Sequence, residues 1–423
     1  MWFKNRVLFM ALIPGILVIS ICGVSLAEEE IELHELVQIA TEKDPSVLRL
    51  DLESKALRQK SVADGQLMDP RIKLGVSAIP LDSFDLEQEA MTQQQIGFQQ
   101  VFPRGSSLGL KRKKGEAFSR EKSWMAQWEY LKIQRDVRLA FLEIVHLRKS
   151  SGIVRKNKKL FQQLLEISRS RYASGKEKQQ NVLEFELAVS RLDERLVKIQ
   201  EQEDSARARL SKWVPREMAF RKFGKDFPEF PKLLSREKMV QRLFLHPAVK
   251  AADSHIQSQD LGLQLAQEKY KPSWMLDATY GHREGRNPNG SDRTDVLSAM
   301  VVFDLPIFTE NRQDRIQESE RLKTQAAKFK RDDRLRQHKS ELEVLLAKHS
   351  RLEERLKVFS TQLIPESRNY RKTTLSGYQN RVTDLTDAIR AYSVELQTQL
   401  NELNVRFQRL VVQARILYLV GDK

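Results

Sequence analysis

The sequence predicts a mainly α-helical chain carrying two β-hairpins, laid out twice over behind an export signal. Three observations predict it: the same punctuation recurs at a fixed offset, apolar residues alternate with period two after each recurrence, and long heptad runs lack Gly and Pro. The composition agrees, since 30% of the 423 residues are charged and only 8% aromatic, which suits long solvated helices better than one thick core.

In chain order, Lys4 and Arg6 precede an apolar run from Val7 to Leu26, broken at Pro14-Gly15. Ser25-Leu26-Ala27 before three glutamates completes the pattern of a cleavable secretory signal, residues 1–27. A retained anchor helix is the competing reading, because about 20 apolar residues span a bilayer. The single cysteine, Cys22, leaves with the signal, so the mature chain has no thiol for a disulfide or a metal.

Asp44-Pro45-Ser46-Val47 matches His246-Pro247-Ala248-Val249, and each is followed by a helix-compatible stretch and a second proline, Pro70 or Pro272. Pro45 and Pro247, like Pro70 and Pro272, stand 202 positions apart. This offset divides the mature chain into a first unit, 28–212, a Phe- and Pro-rich linker, 213–235, and a second unit, 236–423. Beyond the second prolines, Ile72, Leu74, Val76 and Ala78 alternate in one unit, and Trp274, Leu276, Ala278 and Tyr280 in the other. Polar loops, 82–90 and 283–293, lead to further alternation at Ile96 and Phe98, and at Leu297, Ala299, Val301 and Phe303. Period two means strands, so each unit holds a hairpin. Strands of about ten residues suit a tilted crossing of the bilayer hydrocarbon. Four strands cannot close a barrel and lipid tolerates no open edge, so this reading requires several chains to share one barrel.

After each hairpin the period lengthens to heptads. One seam is Leu342, Leu345, His349, Leu352, Leu356, Phe359, Leu363; another is Leu396, Leu400, Leu403, Phe407, Leu410, Ala414, Leu417; a third is Val189, Leu192, Leu196, Ile199, Glu203, Ala206, Leu210. Such seams belong to coiled coils. Thr309 to Ile364 contains neither Gly nor Pro and as one helix would extend about 84 Å. Turns near Gly175 and Gly377 fold each unit back into a pair of long helices. The net charge of +15 raises a nucleic-acid partner, but export excludes it, and the cations are interleaved with acids as on a solvated helix face.

This order of helix, hairpin and long helical pair, repeated behind an export signal, resembles the TolC family of outer-membrane efflux proteins over essentially the whole mature chain. The resemblance rests on the strand-to-helix passages Gln100-Val101-Phe102-Pro103-Arg104-Gly105 and Asp304-Leu305-Pro306-Ile307-Phe308. It rests equally on the turn motifs Tyr172-Ala173-Ser174-Gly175 and Ser376-Gly377 with Asp384-Leu385-Thr386-Asp387-Ala388. Met91-Thr92-Gln93 leading into the first passage is similar to the heavy-metal (CzcC/CusC-like) branch. The resemblance implies a homotrimer in which each chain gives four strands to a twelve-stranded transmembrane β-barrel in the outer membrane, above a long helical tunnel in the periplasm. It implies a passive duct and no enzyme, docked onto a periplasmic adaptor (membrane fusion) protein and an inner-membrane pump of the RND type. Docking would involve the tip residues Gly175, Asn181, Val182, Gly377, Leu385 and Ala388. The cargo would be solutes, heavy-metal cations if the branch holds; drug efflux or type I protein secretion on the same fold is the rival. From residues alone a periplasmic coiled-coil scaffold also explains the helices, though not the paired apolar strands.

Asp384 and Asp387 lie three apart after the second turn and share a helix face, so in a trimer they would form stacked carboxylate rings able to attract cations. In the resembling proteins the matching aspartates line the narrowest aperture, and Arg381 is similar to the arginine that ties the closed tip. From residues alone a solvated first turn, where the helix dipole favours acids, is the preferred reading of the pair, and the resemblance reverses that preference. Two departures bear on the latch: Asn181 stands where the family often has an acid, and the second turn is one residue longer. Seven scattered histidines form no HxH or HExxH spacing, and His349 occupies a heptad seam, so neither a metal site nor a cofactor is expected.

Overall fold

The structure, a computed structural model, describes residues 30–224, 226–380 and 382–421. The expected export signal, 1–27, and Arg381 lie outside the described residues. Helices α1 (Leu33–Glu42) and α2 (Pro45–Asp64) lead to strands β1 (Arg71–Ser77) and β2 (Gln93–Phe102), then to α3 (Ser107–Ala173) and α4 (Gln179–Leu210). A connecting segment holds the one-turn α5 (Arg216–Ala219). Helices α6 (Arg236–Leu243) and α7 (Pro247–Glu268) then precede β3 (Ser273–His282) and β4 (Val296–Asp304). The chain ends with α8 (Gln313–Val358), a π-helical turn (Phe359–Leu363), α9 (Ile364–Gln379) and α10 (Leu385–Leu419).

The recurring Asp-Pro and His-Pro motifs are helix starts. Asp44 Oδ1 accepts from the Ser46 amide at 2.8 Å and His246 Nδ1 from the Ala248 amide at 3.2 Å, while Pro45 and Pro247 open their helices, where a missing N–H costs nothing. The strands form one antiparallel sheet in the order β1-β2-β3-β4, so the two hairpins join through β2 and β3. In register, Leu74, Ile96, Tyr280 and Leu297 lie side by side across all four strands. One residue of the expected alternation does not belong: Ala78 lies past the end of β1 with φ 56°, and its carbonyl takes the Thr92 hydroxyl at 2.8 Å.

Helix α3 is 67 residues long, about 100 Å at roughly 1.5 Å per residue. Gln313–Gln379 matches it in length, because the expected helix starts four residues later than Thr309 and does not stop at Pro365. The π-helical turn just before Pro365 absorbs the missing N–H and the ring's bulk, and Ser360 Oγ and Thr361 Oγ1 both donate to the Lys357 carbonyl at 3.0 and 2.8 Å. A π turn adds one residue, and the seam slips by one. Leu363, expected inside, is 39% exposed, while Ser367, Thr374 and Tyr378 take the buried positions. The other two seams keep their register through Leu417 and Leu210.

Glu203 stands in an otherwise apolar seam because of Arg207. The Arg207 Nε and Nη2 donate to Glu203 Oε1 at 2.9 and 2.7 Å, and its Nη1 donates to the Ala219 and Arg221 carbonyls at 2.9 and 2.8 Å. The guanidinium also lies 4.8 Å from the Phe223 ring, so one buried cation fastens the connecting segment to α4. Glu203→Leu alone should destabilise the fold by about 3–5 kcal/mol, by stranding that cation, whereas Glu203→Leu with Arg207→Leu should recover most of the loss. Denaturant or thermal unfolding of both variants checks this; equal losses would show that the pair is not coupled.

A second buried joint ties α7 to α3, α8 and α10. His246, 1% exposed, packs edge-on against His338 and Tyr418, with ring centroids 4.9 and 5.4 Å away, and Trp128 Nε1 donates to Tyr418 Oη at 2.8 Å. Burial first, then the neighbouring His338 and the charge of Arg334, push His246 down to about 4. The folded chain therefore holds a neutral ring where the unfolded chain takes up a proton near 6.5. Stability is fully present above that pH and is lost as pH falls toward 4, by up to about 3 kcal/mol. His246→Asn retains a capping acceptor without the titrating group and should flatten the melting temperature between pH 6.5 and 4. A variant profile as steep as the parent's would assign the acid sensitivity elsewhere.

Candidate functional site

The two faces of the sheet differ in chemistry, and the more apolar one is exposed among the described residues. Leu74 is 76% exposed, Leu297 78% and Phe303 59%, and Ile72, Phe98, Tyr280 and Val301 are exposed beside them. At the base of this face Phe102 stacks on Trp274 with centroids 3.9 Å apart. The reverse face carries Lys73, Gln95, Gln99, Asp277, Thr279 and Ser298, and also exposes Met300 and Val302. There Lys73 Nζ crosses strand β2 to reach both Asp277 oxygens at 2.5 Å, and Asp277 also accepts from Thr279 Oγ1 at 3.0 Å and Gln99 Nε2 at 3.3 Å. Gly97 makes the crossing possible, since a Cβ there would stand 2.8 Å from Lys73 Cε. At the far end Arg293 Nη1 donates to the Glu87, Glu89 and Glu284 carbonyls, each at 3.0 Å, which ties the two hairpin loops together. Strands β1 and β4 have one neighbour each, so each leaves an edge unpaired among the described residues.

At the opposite end the helical pairs reverse by different means. Gly175 adopts φ +69°, with its amide on the Tyr172 carbonyl and the Lys176 amide on the Arg171 carbonyl, both at 2.9 Å. Gly377 instead sits within the last turns of α9, and the chain reverses after it. The returning Thr383 lies against it so closely that a Cβ would meet Thr383 Cγ2 at 2.8 Å, and the Gly377 carbonyl takes the Val382 amide at 2.8 Å. Asp384 is the exposed N-cap residue of α10 and makes no side-chain cap bond. Asp387 follows in the first turn, half-exposed, with Arg390 Nη1 at 3.9 Å.

The two turns are clasped by Arg171, Glu177, Glu184 and Tyr378, which the sequence patterns did not single out, together with Asn181 and Thr386. Glu177 accepts from Tyr378 Oη at 3.2 Å and from Asn181 Nδ2 at 2.5 Å, and the Arg171 guanidinium lies 4.8 Å from the buried Tyr378 ring. Thr386 Oγ1 donates to Glu184 Oε2 at 3.3 Å, joining α10 to α4. Leu385 and Ala388 are fully covered, packed in one core with Phe185, and Val182 lies partly buried against it. Their side chains support the tip from beneath. The apolar surface here belongs to Val382, 80% exposed, with Leu183, Leu187 and Tyr172. Tyr378→Ala should speed proteolytic nicking at Lys176 and Lys178 severalfold in limited trypsinolysis, and Tyr378→Phe, losing one hydrogen bond of about 1 kcal/mol, should do far less. Equal cleavage of all three proteins would remove the clasp.

Among the described residues no three His, Cys, Asp or Glu side chains gather as a metal site, and no helix is long and apolar enough to cross a membrane. No family model matches the sequence, and no curated protein does. Solved structures match its whole architecture. The outer membrane protein VceC from Vibrio cholerae, 16% identical, superposes with a TM-score of 0.77 over 92% of this chain and 96% of its own. The outer-membrane channel OprN, 14% identical, gives 0.78 over 92% and 90%. CusC, described in terms of transmembrane channel formation, is 12% identical and gives 0.75 over 93% of both chains, so it stands no nearer than the other two. The chain has the fold of these outer-membrane channels: mainly α-helical, with one four-stranded antiparallel sheet.

Proposed function

We propose that the chain is the outer-membrane component of a tripartite efflux system, a passive duct formed by three copies. The observation that carries this reading is the bare apolar face of a sheet whose other face holds a charged pair, mounted on two helices of about 100 Å. Water penalises such a face, whereas lipid accepts it and a polar lumen accepts its reverse. The open edges of β1 and β4 then pair between chains, closing twelve strands into a barrel. The segments 28–212 and 236–423 would be an internal repeat, each supplying one hairpin and one long helical pair. The helices extend the duct through the periplasm, where the tip engages an adaptor protein and an inner-membrane pump, of RND type by the resemblance.

Within this proposal Asp384, Asp387 and Arg381 form the gate. Gly175, Asn181, Val182 and Gly377 shape the docking surface, with Leu385 and Ala388 holding it from within. Carboxylates repeated around a narrow aperture favour cations, which suits a metal-ion cargo of the kind the heavy-metal branch implies. The chain would fractionate with the outer membrane and open ion-conducting pores in planar bilayers. Asp384→Ala with Asp387→Ala should change single-channel conductance and relieve block by divalent cations. Unchanged conductance and block would take both residues out of the gate, and a protein that is soluble and monomeric without detergent would overturn the duct itself.

A further inference from the structure

A cavity of about 410 Å³ opens where the sheet meets α3, α7 and α8, and four cations line it: Arg104, Lys111, Lys269 and Arg312. No carboxylate does. The acids nearby are already engaged: Asp304 by Arg104 and Ser273, Glu268 by Lys271 at 2.7 Å and the Ser106 amide at 2.8 Å, and Asp314 by Tyr270 Oη at 2.6 Å. Lys111, Lys269 and Arg312 have no ion pair among the described residues. In the cavity wall Gln313 is only 5% exposed, and its Oε1 has no hydrogen-bond partner. A buried amide oxygen left without a partner is costly. Leu265 and Ile316 line the same space and weaken the screening of these charges.

We propose that this cavity binds a phosphate-class oxyanion. Three unmatched cations neutralise it, Arg312 with a planar fork suited to two oxygens at once, and the Gln313 amide donates from the wall. The cavity is complete within one chain, so the site stands or falls independently of the duct. Two sources share the chemistry: free phosphate or an organophosphate solute, and the phosphodiester headgroup of a membrane lipid. The exposed Ile307 and Phe308 on the neighbouring strand-to-helix passage offer acyl chains a surface in the second case.

The test uses the full chain in detergent. Calorimetric titration with inorganic phosphate, against chloride at equal ionic strength, reads the first source. Native mass spectrometry with phosphatidylglycerol, against diacylglycerol, reads the second. At least one phosphate-bearing probe should bind and its control should not. Lys111→Gln with Arg312→Gln should weaken that binding about tenfold or more. Gln313→Leu, which leaves the cations in place and fills the wall with an apolar side chain, should also weaken it, severalfold. Binding of phosphate alone identifies a solute site, and retention of the lipid alone a headgroup site. Failure of both probes, or binding by both variants equal to that of the parent chain, would overturn the proposal.

Discussion

The proposed duct rests on one constraint, that a sheet with an exposed apolar face and two edges unpaired among the described residues leaves both in want of a partner. Each buried backbone group needs a partner, and each exposed Leu or Phe in water forgoes about 25 cal/mol for every Å² left uncovered. The row Leu74, Ile96, Tyr280, Leu297 runs the width of the sheet, and all four are exposed. In the proposed duct, lipid would remove the penalty on the face, and neighbouring copies would remove it on the edges. The polar reverse face argues the same way, because Lys73 and Asp277 are paired to each other rather than to any covering layer.

The helices divide the remaining work. Long uninterrupted helices give reach, and their seams give stiffness, but a chain of two linked halves also needs joints. Arg207 and Glu203 fasten the connecting segment, and the group around His246 fastens α7. At the tip polar clasps, Glu177 with Tyr378 and Asn181, and Thr386 with Glu184, lie over a core that includes Phe185, Leu385 and Ala388.

Much of this was legible in the sequence because local physics decides it. Period-two runs fix which face of a strand is apolar, and Asp44-Pro45 and His246-Pro247 cap helices wherever they occur, so strands, helix starts and turns could be read directly. Leu363 and Ala78 escaped that logic for local reasons of their own: a π turn ahead of Pro365 shifts every later seam position by one, and a positive φ ends β1 early. Pairs far apart in sequence were not legible at all. Nothing in the spacing announces that Lys73 crosses Gly97 to Asp277, that Tyr378 reaches Glu177, or that Gln313 faces a cavity among cations from three other elements. Asp384 is the extended N-cap of α10 and Asp387 lies in its first turn, while two residues expected at the docking surface, Leu385 and Ala388, are covered, since a heptad-like pattern does not say which helix a seam will meet.

The most direct measurement is disulfide trapping between β1 and β4, made clean by a sequence whose only cysteine is Cys22, in the expected export signal. Single cysteines at Lys73, Gly75 or Ser77 would be combined in turn with single cysteines at Ser298, Met300 or Val302, all on the polar face. Mild oxidation in the membrane should carry at least one combination through dimer to a covalent trimer, and no further. A full panel that yields only monomers, or ladders extending past three chains, would contradict a sheet closed by sharing its edges among three copies.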